Sequence, residues 1–134
     1  MKQVIQTSKA PAPVGPYSQG LRVGNQVFVA GQGPKNPETG IVSETIEDQT
    51  HQVLTNIKHI LEAADASMSD VVKVTAHLAD LKDFEKYNQV YQQYFTEPYP
   101  VRTTVGSQLQ NILVEIDVIA VVQGDRSLVP NQEQ

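Results

Sequence analysis

Between residues 113 and 122 the chain alternates so regularly that only an extended strand can use the pattern. Successive side chains of a strand point to opposite faces. Val114, Ile116, Val118, Ala120 and Val122 therefore share one face, and all are apolar. Leu113, Glu115, Asp117, Ile119 and Val121 share the other, which mixes apolar with acidic groups. The first face has to be covered by another layer of structure. The second suits neither a core nor the open surface of a monomer, and a half-apolar sheet face of this kind marks an interface.

A second strand, over 71–78, repeats the theme. Val72, Val74, Ala76 and Leu78 are expected inward, with Val71, Lys73, Thr75 and His77 outward. The covering layer comes from two helices. Over 45–64, Ile46, Val53, Ile57, Ile60, Leu61 and Ala64 fall on one side at the 3.6-residue period. Thr45 is the expected N-cap, with Asp48 three residues on. Over 83–95 the stripe is Phe84, Tyr87, Tyr91, Tyr94 and Phe95, closed by Pro98 and Pro100. Further strands are expected over 18–23 and 26–31, joined at Gly24-Asn25, and over 101–107. The segment from Ala10 to Pro16 is dense in proline and glycine and reads as a stiff loop. The outcome is an α+β fold in two layers, a mixed sheet with two helices on one face. One domain over 1–124 is expected, followed by a polar tail over 125–134.

Composition excludes several functions. The 134 residues carry a net charge of −5, and the ten Lys and Arg are scattered rather than clustered. Nucleic-acid binding rests on clustered cations, so it is not expected. No cysteine is present, which removes disulfides, thiolate metal sites and thiol nucleophiles. No apolar run approaches the roughly 20 residues that span a bilayer, and the N-terminus lacks a signal-peptide core. A cytoplasmic protein without membrane partners is expected. His51 and His59 lie eight apart on the first helix, about 12 Å along its axis, too far to share one metal ion. No metal site is expected.

Candidate site residues each admit two readings. Arg102 and Thr104 share a strand face, where a guanidinium beside a hydroxyl can hold a carboxylate by two parallel hydrogen bonds. An exposed Arg paired with a surface acid is the alternative. Glu115 sits within the most apolar strand, costly for a carboxylate unless it is paired or used. It can orient or deprotonate a water, or bond to a neighbouring subunit. Tyr17 ends the stiff loop, where it can cap a pocket or simply pack. Gly31 and Gly33 allow close backbone approach, or mark a strand end and a turn.

Read together, several segments resemble the Rid proteins, also called the YjgF or L-PSP endoribonuclease family. They are Ala10 to Gln19, Ala30-Gly31-Gln32-Gly33-Pro34, Gln49-Thr50 with Leu54 and Asn56, and Asp70 to Thr75. Phe84, Asn88 and Tyr91, then Pro100 to Val105, then Val114-Glu115-Ile116 complete the match, collinear over roughly 3–122. The resemblance implies a chorismate-mutase-like fold and a homotrimer with sites between subunits. It implies hydrolysis of enamines and imines such as 2-aminoacrylate and 2-aminocrotonate to 2-keto acids and ammonia, without a cofactor. Arg102 would bind the substrate carboxylate and Glu115 would position the attacking water. Tyr17 would line the pocket from the neighbouring subunit. Gly31 would offer backbone groups to the ligand, and Asn88 would lie near the site. If Glu115 adjoins Arg102, the opposite charge favours its ionised form. A non-catalytic trimer binding small carboxylates is the alternative, and a ribonuclease or translation inhibitor a third reading. The chain departs from the family pattern at four places. Thr104 replaces a cysteine, Ala30 a serine and Gly33 a bulky apolar residue, and Leu109-Gln110 stands for Leu-Pro. These bear on substrate identity more than on reaction type.

Overall fold

A computed structural model describes residues 1–123; the expected polar tail lies outside them. The six-stranded sheet has the order β1-β2-β3-β6-β4-β5. β1 (Gln3–Ile5), β2 (Gly20–Val23) and β3 (Gln26–Gln32) form an antiparallel meander. The β2–β3 hairpin turns at Gly24, whose φ of 61° supplies the positive value that the first central residue of a type II′ turn needs. β6 (Val114–Val121) runs antiparallel between β3 and β4 (Val71–Leu78). β5 (Val101–Gly106) pairs parallel with β4 and forms one edge.

Helix α1 (Ile46–Ala63) starts as its sequence dictates: Thr45 Oγ1 accepts from Asp48 N at 3.1 Å. At its other end Arg22 of β2 donates to the Ala64 carbonyl at 2.6 Å, a cation at the negative end of the helix. The apolar stripe of α1 is buried against Val27, Val29, Val74, Ala76, Val114, Ile116 and Val118, which is the core. The apolar face of β6 thus lies under the helices, and the mixed face looks away from them.

Two expectations need correction. Val71 is buried and Val72 is 44% exposed, the reverse of the expected order. The pairing of β4 with β6 shifts register between Val71 and Lys73, and this bulge turns the strand over by one residue. The second helix, α2 (Phe84–Tyr91), is shorter than the expected 83–95. A 3₁₀ turn (Leu81–Asp83) precedes it, and after Tyr91 the chain tightens, with Gln93 N and Tyr94 N bonding to the carbonyls of Val90 and Tyr91. Phe95 still packs on Tyr91, with ring centres 4.6 Å apart. Among the described residues no helix is long and apolar enough to cross a membrane.

Candidate active site

Arg102 is placed by register. In the parallel β4–β5 pair it lies beside Val74, and Thr104 beside Ala76, both core residues. The two side chains therefore point to the helix layer, where α2 receives them. The guanidinium carbon sits 4.5 Å from the Tyr91 ring centre and 5.6 Å from those of Phe84 and Tyr87. Arg102 Nη1 donates to Asn88 Oδ1 at 2.7 Å. Among the described residues its hydrogen-bond partner is thus a neutral amide, not a surface carboxylate. Aromatic faces attract the cation and the amide fixes its rotation, so the fork is held in one orientation. The cleft beside it, about 400 Å3, is lined by Asn88, Tyr91, Gln92, Tyr99, Pro100 and Arg102.

The phenols around Arg102 are kept neutral. Burial pushes the Tyr91 hydroxyl up to about 12, outweighing the opposing pull of Arg102. Tyr87 is raised for the same first reason, against its hydrogen bond with Thr104 and the charge of Arg102. Thr104 Oγ1 and Tyr87 Oη lie 3.1 Å apart. The hydroxyl that stands for the family's cysteine is therefore engaged with a tyrosine. Tyr91 Oη is buried without a hydrogen-bond partner.

Glu115 occupies the opposite face. It is in register with His77 of β4, and both alternate with core residues. Its carboxylate leans the other way, over β3: a Cβ built on Gly31 would lie 2.5 Å from Glu115 Oε2. His77 Nδ1 is 2.7 Å from Ser107 Oγ. On the same face burial raises Asp117, opposed by His77 and Lys73. The three histidines have separate partners, His51 with Tyr94 Oη and His59 with the Lys9 carbonyl. Among the described residues no three His, Asp or Glu side chains cluster as metal ligands.

Tyr17 stands half-exposed at the end of the proline-rich loop, and its hydroxyl accepts weakly from Val14 N at 3.4 Å. It shares a hollow with Val14, Gly33 and Lys35. Three buried amides hold these loops, and sequence reasoning gave them no role. Gln19 accepts from Thr7 N and donates to the carbonyls of Thr7, Ala10 and Pro11. Asn56 of α1 donates to the carbonyls of Gly33 and Lys35, at 3.2 and 3.0 Å. Gln49 of α1 accepts from Leu113 N, where β6 begins, and donates to the Ser43 carbonyl. For Gln49 and Asn56 the available signal was an amide on the buried side of an apolar helix, where only a satisfied hydrogen-bonding group belongs.

The candidate residues therefore form separate groups within one chain. Arg102, Asn88 and Thr104 come together on the helix side of the sheet. Gly31 and Glu115 come together on the helix-free side, and Tyr17 lies by Gly33. The expectation that Glu115 adjoins Arg102 is not met within the chain, because the register places Arg102 beside inward-facing Val74 and Glu115 beside outward-facing His77.

Residues 7–122 match the family described as Endoribonuclease L-PSP. A RutC family protein of Pyrococcus abyssi is 56% identical over 122 residues, 89% of this chain and 96% of its own length. The 2-iminobutanoate/2-iminopropanoate deaminase of Dermatophagoides farinae is 43% identical, over 91% of this chain and 98% of its own. The crystal structure of Escherichia coli TdcF with bound serine superposes with a TM-score of 0.86 at 38% identity, covering 90% of this chain and 99% of that one.

Proposed function

Because this chain belongs to the Endoribonuclease L-PSP family, which includes the Rid deaminases, we propose that it hydrolyses small imines and enamines of amino acids to 2-keto acids and ammonia. The observation that carries the reading is the held guanidinium: Arg102, stacked on Tyr91 and fixed by Asn88, faces a cleft of ligand size with its remaining donors. Such a fork matches a carboxylate bidentately. The Escherichia coli structure with bound serine, an amino acid, supports a ligand with that group.

The active form is a homotrimer with sites between subunits. Arg102 and Glu115 face opposite sides of one sheet, so a site that uses both needs a second copy to bring them together. The helix-free face, with Phe28, Ile119 and Val121 beside Glu115 and Asp117, supplies the apolar surface for that contact. Tyr17 reaches the site from the loop of the neighbouring subunit.

In this site Arg102 holds the substrate carboxylate and so fixes the imine carbon next to it. Glu115 orients a water and accepts a proton as the water oxygen bonds to that carbon and the C=N π electrons move to nitrogen. The proton passes to the nitrogen, and Glu115 then takes the carbinol O–H proton and hands it to the same nitrogen; the C–N bond breaks as the C=O bond forms, so ammonia leaves and the keto acid remains. Free imines already decay in water, so positioning two reactants supplies the acceleration required. The name endoribonuclease fits the chain less well, since a net charge of −5 repels phosphate backbones.

A coupled assay tests this. Threonine dehydratase generates 2-aminocrotonate in situ, and 2-ketobutyrate is followed with and without the protein. Acceleration that Arg102→Ala eliminates, with the oligomer intact, is expected. Calorimetric carboxylate binding with no turnover would replace the deaminase by a binding trimer.

A further inference from the structure

We propose that Gly31 is a positioning residue, a missing side chain whose vacant volume is where the Glu115 carboxylate lies. The proposal rests on Glu115 acting on the water as argued above. A strand glycine has three ordinary justifications: a positive φ, a turn, or a close approach. Among the described residues Gly24 and Gly40 have positive φ; Gly31 does not, and it stands inside β3 rather than in a turn. Close approach remains, and the neighbour is specific. A Cβ at Gly31 would meet Glu115 Oε2 at 2.5 Å, Cδ at 3.2 Å and Cγ at 3.4 Å. Its three nearest neighbours are all atoms of that one side chain, and none is backbone.

Two further features fix where the carboxylate goes. The β3–β6 pairing shifts register between Val29 and Gln32, so Gly31 sits in a bulge, a device that re-aims side chains. On the far side of Glu115 stands His77, engaged by Ser107 at 2.7 Å. A carboxylate pushed off Gly31 must move toward β4 and His77. Because the obstructed atoms are the mobile end of a glutamate, an added methyl leaves the fold alone and shifts the carboxylate. Misplacement of a reacting group by about 1 Å costs on the order of 100-fold in rate.

Gly31→Ala tests this in the full-length protein. Expected is a kcat lower by roughly 10- to 100-fold with KM changed less than about threefold, an unchanged melting temperature and oligomer, and a crystal structure with Glu115 displaced toward His77. In a Glu115→Ala background the same substitution should cost nothing further. A raised KM with kcat kept, or a loss that persists in the Glu115→Ala background, would overturn the proposal in favour of a backbone contact to the ligand. An unmoved Glu115 in the crystal would overturn it as well. If Glu115→Ala alone kept full kcat, the role of Glu115 in the reaction would fail, and the crystallographic position of the carboxylate would still decide whether Gly31 sets it.

Discussion

Arg102 depends on geometry more than on charge. Its planar group lies against Tyr91 and is pinned by Asn88. Lysine would keep the charge and lose both the stacking and the fork. Arg102→Lys should therefore lower kcat/KM by about 10- to 100-fold in the coupled assay, with an unchanged melting temperature. Tyr91 separates ring from hydroxyl. Its ring supports Arg102, while its hydroxyl is buried without a partner, so Tyr91→Phe should leave activity near wild type and leave stability unchanged or raised by up to about 1 kcal/mol in urea unfolding. The same hydroxyl carries a pH signature. Its folded value near 12 exceeds the ordinary 10.0, so over that window folded chains keep a proton that unfolded chains have lost. Stability present below pH 10 is lost as pH rises through about 12, and wild type should show a steeper loss than Tyr91→Phe. The sequence offered Arg102 with Thr104 on one face. The contact with Asn88, 14 residues earlier, depends on how α2 lies over β5 and could come only from the resemblance or the structure.

At the scale of elements, the clearest patterns gave the right positions. The alternation of β6 assigned its two faces correctly, and the stripe and cap of α1 set its start. What local pattern could not reach was the outcome of pairing. One extra residue at the start of β4 exchanged Val71 and Val72 between faces, and nothing in the local sequence marks that bulge. The last turn of α2 kept its buried aromatics but not its helical hydrogen bonds, since Phe95 reaches the core from a tighter turn. The buried amides of α1 look like defects in an apolar stripe, yet they tie the loops around the site to the helix. Asn56→Ala would leave the carbonyls of Gly33 and Lys35 short of a donor. A cost of roughly 1–3 kcal/mol in denaturant unfolding is expected, with weaker substrate binding because the hollow beside Tyr17 loosens.

For the whole molecule, the decisive fact is that one sheet presents half of the candidate machinery on each face. The mixed face of β6 suggested an oligomer from sequence alone. The opposed directions of Arg102 and Glu115 follow from register, which sets Arg102 beside inward Val74 and Glu115 beside outward His77, and no single strand's pattern reveals it. The most direct test mixes subunits. Arg102→Ala and Glu115→Ala proteins, each far slower than wild type alone, are unfolded together in equal amounts, refolded, and assayed for imine hydrolysis. If every site takes Arg102 from one subunit and Glu115 from its neighbour, random assembly restores about a quarter of the wild-type sites. Recovery near that fraction is the expected result. Mixed oligomers that form but stay as slow as their parents would contradict a site shared between subunits.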